Sequence, residues 1–290
     1  MKKGPAVHQG RQNKEKKNPL PLPPDRHLLD DVQRYYDQKA ELYDKDYEQY
    51  DWRLYDDLTW HFLVPYLPLV KPGLILDIGG GTAKWSVKIA QLGYKVVCGD
   101  ISDGMLTVAR QKIAAHHLEK DIEICKLDVR NLHQYPTDTF DLVLALGDVI
   151  SYAIDDDMAV AEIFRVCKPG SRCIASVDNK LTYLLLELNN NHFKCVEELL
   201  NTGITTYFTP HPIKTYFPGE LRNLFERHGF EVESMVGKPV LTNMVPKSRR
   251  KKQLPSHYEF FLNIEKQLAA DPTLIGHGGH LQVVARKPLK

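Results

Sequence analysis

From about position 71, short apolar runs alternate along this chain with longer stretches whose apolar residues recur at helical spacing. Leu74, Ile75, Leu76 and Ile78 form a run broken only by Asp77, the pattern of a parallel strand covered on both faces. Tyr94–Asp100 reads as a second strand, and Asp103–His116 as a helix with Met105, Leu106, Ala109 and Ile113 on one face. Ile122–Asp128 and Phe140–Asp148 read as third and fourth strands. A helix end near Phe164, a Lys168-Pro169-Gly170 turn and a fifth strand reaching Val177 follow. This alternation predicts an α/β domain with a parallel sheet and helices on both faces. Ligands in such sheets bind at the carboxyl ends of the strands, where Asp77, Asp100, Asp128 and Asp148 all fall.

The pattern beyond the fifth strand is less regular. Leu181–Leu188 and Val196–Leu200 look helical, and Thr205–Thr209 looks like a strand ended by Pro210 and Pro212. Glu220–His228 reads as a helix, Phe230–Val236 as a strand and Leu281–Arg286 as the last strand. Before the sheet, residues 28 to 64 form a helical segment rich in aromatics, among them Tyr35, Tyr36, Tyr43, Tyr47, Trp52 and Tyr55. The expected organisation is a disordered basic and proline-rich tail over 1–26, a helical lid over 27–70, and one domain over 71–290. Insertions at about 180–216 and 238–279 are expected to cap the substrate.

Composition narrows the function only slightly. Thirty-eight Lys and Arg face thirty-seven Asp and Glu, a formal charge of +1, so no global attraction to nucleic acid or membranes is implied. The five cysteines show no metal-ligand spacing and no Cys-x-x-Cys pair, which suits reduced thiols in a cytoplasmic enzyme. The basic N-terminus is not followed by an apolar stretch, and no apolar run approaches a membrane span. No metal site is expected, since His277-Gly-Gly-His280 is not a convincing metal pair without acidic or cysteine partners.

The chemistry concentrates at Gly79-Gly80-Gly81, between the first strand and the start of a helix. Consecutive glycines allow close backbone approach to a ligand, and a helix start offers free N–H donors. Lys84 stands where the dinucleotide fingerprint needs its third glycine, and the Gly-Lys-Ser/Thr of a P-loop is absent. Asp100 lies roughly 20 residues beyond the glycines, the interval at which nucleotide folds place a carboxylate on ribose hydroxyls.

Asp77-x-Gly79-x-Gly81-x-Ala83, with the acid-terminated strands that follow, resembles the class I S-adenosylmethionine-dependent methyltransferases over about residues 73–178. The resemblance implies a Rossmann-like fold with a seven-stranded, mostly parallel sheet of order 3-2-1-4-5-7-6, its last two strands an antiparallel pair. It implies S-adenosylmethionine as cofactor. Asp77, Gly79, Gly80 and Gly81 would then meet its methionine and ribose parts, Asp100 the ribose, and Ile101, Asp128 and Val129 the adenine. Leu146 and Gly147 would lie near the ammonium. Tyr35-Tyr36-Asp37…Ala40…Tyr43-Asp44 matches a segment that covers the site in family members, which makes Tyr35 and Tyr43 candidate contacts.

On the acceptor side the resemblance points to Asp148, with Tyr152 nearby, as base or hydrogen-bond acceptor. Leu146-Gly-Asp-Val-Ile departs from the Asn/Asp-Pro-Pro-aromatic sequence of nucleic-acid amino methyltransferases. His192, His211, His257, His277 and His280 are further candidate bases. The expected activity is methyl transfer to an oxygen, nitrogen or carbon of a small molecule. Methylation of RNA or protein is the alternative, supported by the basic run Lys247–Lys252 and the basic N-terminus. The sequence leaves the acceptor and the oligomeric state open.

Overall fold

The computed structural model describes residues 25–289, so the tail foreseen over 1–26 lies almost wholly outside the described residues. Seven strands form the main sheet: β1 (Leu74–Ile78), β2 (Lys95–Asp100), β3 (Ile122–Lys126), β4 (Phe140–Ala145), β5 (Cys167–Asp178), β8 (Glu231–Lys238) and β9 (His280–Arg286). β6 (Ile204–Thr205) and β7 (Ile213–Lys214) pair apart from it. The order is β3-β2-β1-β4-β5-β9-β8, which is 3-2-1-4-5-7-6 when the small pair is left out of the numbering. Within the main sheet β9 runs antiparallel to both neighbours and the other pairings are parallel.

Alternation along each strand builds two cores. Leu76, Ile78, Val143 and Ala145 face one side with Ile163 and Phe225 of the helices α5 (Asp156–Val166) and α8 (Pro218–Arg227). Ile75, Leu142 and Leu144 face the other, with Val87 and Ile89 of α3 (Lys84–Ala90) and Ala109 and Ile113 of α4 (Asp103–Ala115). Successive strand side chains point to opposite faces, so near-continuous apolar runs are what a sheet covered twice requires. Ser102 caps α4, its hydroxyl accepting from the Met105 N–H at 3.0 Å.

Three local expectations are corrected. The third strand stops at Lys126, leaving Asp128 in the turn beyond it. Of Thr205–Thr209 only Thr205 belongs to a strand; Tyr207 and Phe208 leave it, and Phe208 packs edge-on against Tyr183. The Lys168-Pro-Gly turn lies within β5 as an irregularity opposite β4, with Gly170 at φ 78°.

The N-terminal segment is two helices with different neighbours. α1 (Asp25–Asp46) lies along α4, and α2 (Tyr50–Leu63) packs away from it. The first insertion contributes α6 (Lys180–Asn189), α7 (Phe193–Thr202) and the small β6–β7 pair. Tyr183, Leu184, Leu199 and Ile213 are buried there, with Tyr152 against them. The second contributes α9 (Leu241–Met244), α10 (Lys247–Gln253) and α11 (Tyr258–Leu268). Its Leu254, Tyr258 and Leu262 close on Leu54 and Leu58 of α2.

Candidate functional site

A cavity of about 670 Å³, its open mouth included, lies at the carboxyl ends of β1, β2 and β4. Of the residues picked out from the sequence, Gly79, Gly81, Asp100, Ile101, Asp128, Val129, Gly147, Tyr43 and Tyr152 line it. Leu29, Val32 and Tyr36 of α1 join them from above, with Tyr43, all on one helical face. Met105, Leu127, Val149 and Ala153 complete apolar walls that the strand-end reasoning did not single out.

The glycine turn differs from a simple array of free donors. Gly80 N–H donates to the Gly99 carbonyl at 3.0 Å, and Gly81 N–H donates to Asp100 Oδ2 at 2.9 Å. The other Asp100 oxygen accepts from Ser102 N–H at 2.9 Å. Asp100 therefore anchors the turn, and each of its oxygens keeps a second lone pair. Gly81 has φ 54° and nothing within 4 Å of the position a Cβ would take, so its backbone is open to the cavity. At Gly80 a Cβ would lie 2.8 Å from Cys98 Sγ and 3.0 Å from the Asp77 carbonyl; packing behind the turn demands glycine there.

Asp77 does not reach the cavity. It is buried behind the turn and accepts the Ser86 hydroxyl at 2.6 Å. Burial pushes its carboxyl, and that of Asp100, up to about 6, although hydrogen bonds to both oppose the shift. Leu146 likewise lies in the core below the cavity. Tyr35 is outside the lining; it packs edge-on against His211, with ring centroids 5.2 Å apart. Asp128 lines the cavity, but its carboxylate is held by the Arg130 guanidinium at 2.8 Å and by the Arg130 N–H at 2.9 Å.

α1 is tied down at two points. Asp37 Oδ1 accepts from Ser102 Oγ at 2.6 Å and from Gly104 N–H at 2.9 Å, at the start of α4. Asp44 accepts the Thr82 hydroxyl at 2.6 Å and pairs with Lys112 at 2.7 Å. Both carboxylates thus bind the ends of the loops that form the cavity floor.

Beside Gly147, Asp148 meets two groups from distant strands. His280 Nδ1 lies 3.0 Å from Asp148 Oδ2 and 3.9 Å from Asp178 Oδ1. The His280 N–H is not directed at either oxygen, so the contact is an ion pair in distance rather than an aligned hydrogen bond. Burial alone would raise the Asp148 carboxyl, but the charges of His280 and Lys238 hold it below its usual range. Burial disfavours a charged His280 ring, yet Asp148 and then Asp178 raise its pKa. Asp178 is pushed up to about 7 by burial and by the neighbouring Asp148 charge. Tyr183 donates to Asp178 at 2.7 Å. Lys238 is fully buried and donates to Thr59 at 2.5 Å and Gln282 at 2.6 Å, with its ammonium 4.3 Å from the centre of the Tyr55 ring. Burial lowers it to about 7 against the pull of Asp148 and Asp56.

The sequence placed His280 among five candidates and left Asp178 out, ending β5 one residue early. Its signal was available: Asp178 is the acid at the end of the fifth strand, as Asp77 and Asp100 are at theirs. Of the other histidines, His211 is buried and neutral, its pKa lowered to about 4 by burial, with both ring nitrogens unpaired beside Tyr152. His192 pairs with Glu187 on a half-exposed face.

Residues 75–170 match the family model described as a methyltransferase domain. A ubiquinone/menaquinone biosynthesis C-methyltransferase of Teredinibacter turnerae is 35% identical over 133 residues, 44% of this chain and 52% of that protein. Residues 75–170 thus form a methyltransferase domain, and the strand order of the sheet is that expected for the class I S-adenosylmethionine-dependent fold. The family uses S-adenosylmethionine as methyl donor. The methyltransferase domain spans about half the length, or less, of the first curated relatives it matches. A tRNA 5-carboxymethoxyuridine methyltransferase of Escherichia coli is 22% identical over 74% of this chain and 80% of its own length. The methyltransferase fold is also that of the [4+2]-cyclase SpnF, with TM-score 0.61 and 16% identity over 94% of this chain and 100% of that one. That likeness concerns the fold alone, which hosts more than one chemistry. Among the described residues, no helix is long and apolar enough to cross a membrane.

Proposed function

We propose that this protein transfers the methyl group of S-adenosylmethionine to a small-molecule acceptor. The observation that carries the reading is one continuous cavity. It joins the glycine turn and Asp100 to an aromatic wall of Tyr36, Tyr43 and Tyr152, with Gly147 and Val149, the chain neighbours of Asp148, also in the lining. Its residues fit the methyl donor. The spare lone pairs of Asp100 suit two vicinal ribose hydroxyls. Ile101, Met105, Leu127 and Val129 offer an apolar slot for a flat ring, with Asp128 at its edge. Gly81 and Gly147 leave backbone open where the polar amino-acid end would lie. S-adenosylmethionine supplies an already activated methyl group, so the chain has to orient the acceptor, exclude water and receive a proton. α1 excludes water; Asp148 and the groups around it face the acceptor side, with Tyr152 in the wall.

The enclosed, mostly apolar cavity favours a small acceptor, and the first curated relatives are named as ubiquinone/menaquinone biosynthesis C-methyltransferases. The five cysteines are free, which supports a reducing, cytoplasmic setting. A second reading, tRNA methylation, is favoured by the coverage of the Escherichia coli relative and by the exposed Lys247, Arg249, Lys251 and Lys252 of α10. Arg250 of the same run is already paired with Asp51 at 2.7 Å, and α10 packs with α2 rather than at the cavity.

Calorimetric titration with S-adenosylmethionine and S-adenosylhomocysteine, with NAD as control, tests the proposal. Saturable binding of the first two is expected; binding of NAD instead would overturn it. Steeply salt-dependent tRNA binding, lost on neutralising the α10 lysines, would favour the second reading.

A further inference from the structure

Three carboxyl-edge groups converge beside the cavity, and two of their oxygens have nothing to bond. Asp148 Oδ1 and Asp178 Oδ2 are buried without a hydrogen-bond partner, and the two residues are 8% and 4% exposed. Two buried carboxylates this close are unfavourable unless a positive donor joins them. His280 is one such group, but its N–H is aimed at neither acid. The Lys238 ammonium is committed to Thr59 and Gln282.

The walls around this pair are aromatic. Tyr55 and Trp52 pack on His280 with centroids 4.8 and 6.0 Å away. Trp52 continues to Tyr47 at 5.1 Å and Tyr47 to Tyr43 at 5.0 Å, where the chain of rings reaches the cavity. From the other side Tyr36 meets both Tyr43 and Tyr152. A hydrated metal ion needs further oxygen or nitrogen ligands and gains little from ring faces. An organic ammonium gains from both features, since its N–H groups satisfy carboxylate oxygens and its charge is attracted to aromatic faces.

We propose that the acceptor is an amine, bound as its ammonium by Asp148 and Asp178 within this aromatic enclosure. The inference rests on the methyltransferase reading and narrows it to nitrogen methylation. In the transfer an N–H proton passes to the Asp178 carboxylate. The nitrogen lone pair forms the new N–C bond as the C–S bond of the sulfonium breaks with its electrons retained by sulfur. Asp148 stays ionised against His280 and fixes the direction of approach.

The test uses the full-length protein saturated with S-adenosylhomocysteine, titrated with benzylammonium, tetramethylammonium and benzyl alcohol. Both cations are expected to bind, and the alcohol at least tenfold more weakly. Asp178→Asn should weaken benzylammonium at least tenfold while S-adenosylhomocysteine affinity, which also reports folding, stays unchanged. Tyr36→Leu should weaken tetramethylammonium, which has no N–H to donate. Equal binding of the alcohol, or no effect of Asp178→Asn on benzylammonium, would overturn the proposal. So would saturable Mn²⁺ binding that Asp178→Asn abolishes, since that would assign the three residues to a metal. Failure to bind S-adenosylhomocysteine at all would instead sink the methyltransferase reading on which the proposal stands.

Discussion

Gly81 N–H donates to the Asp100 carboxylate at 2.9 Å, so the acid at the end of β2 holds the turn at the end of β1. The group proposed to bind ribose also shapes the loop beneath it. Replacing Asp100 with Ala should therefore weaken S-adenosylmethionine by about 1–3 kcal/mol. Calorimetry reads this directly, and an unchanged affinity would remove Asp100 from the binding site.

The same residue predicts a pH dependence. Burial raises Asp100 to about 6 in the unliganded fold, from an ordinary value of 3.8. The folded chain thus holds this proton better than the unfolded chain between those values. Its contribution makes the unliganded protein more stable as pH falls through 6, with the gain complete below about 4. Asp77, raised likewise, adds to this. Ligand binding through the carboxylate should move the other way, weakening by up to about tenfold per pH unit below 6. Urea unfolding and calorimetry across pH 4–7, on wild type and Asp100→Asn, check both signs. The substituted protein should lose its share of each dependence.

Asp37 and Asp44 fasten α1 over the cavity through Ser102, Gly104, Thr82 and Lys112. Removing one charge-assisted anchor should speed S-adenosylmethionine release by about tenfold. Stopped-flow dissociation of Asp37→Ala measures it. A rate equal to wild type would mean that the Asp44 anchor and the apolar contacts of Leu29 and Val32 suffice to keep α1 in place.

Asp148 packs against His280 rather than among the cavity-lining residues. Asp148→Asn should leave S-adenosylmethionine affinity near wild type and lower turnover. Loss of both in equal measure would assign Asp148 to the methyl donor instead of the acceptor.

At Gly80 there is no room for a methyl group between Cys98 Sγ and the Asp77 carbonyl. Gly80→Ala should cost about 1–3 kcal/mol of stability by overpacking, read as a lower urea midpoint. A neutral result would show that the turn relaxes freely.

Local pattern along the chain is enough to read the sheet and the glycine-turn end of the cavity. Runs such as Leu74–Ile78 and Phe140–Ala145 report local periodicity. An acid two residues before a glycine turn, and another at the end of the next strand, sit at fixed offsets along one βαβ unit. Short-range order therefore fixes both their identity and their position. It also fixed the antiparallel final strand only through family resemblance, since no local pattern distinguishes β9 from a parallel strand. The cluster of Asp148, Asp178 and His280 follows from long-range packing instead. Asp148, Asp178 and His280 come from the ends of β4 and β5 and the start of β9, and their meeting depends on β9 entering antiparallel beside β5, where Asp178 pairs in register with His280. Tyr35 and Tyr36 are neighbours in sequence, yet helical geometry turns one toward His211 and the other into the cavity. The two insertions diverge for the same reason. The first carries Tyr183 to Asp178, whereas the second spends its apolar face on α2, an allocation set by which surfaces the folded sheet leaves uncovered.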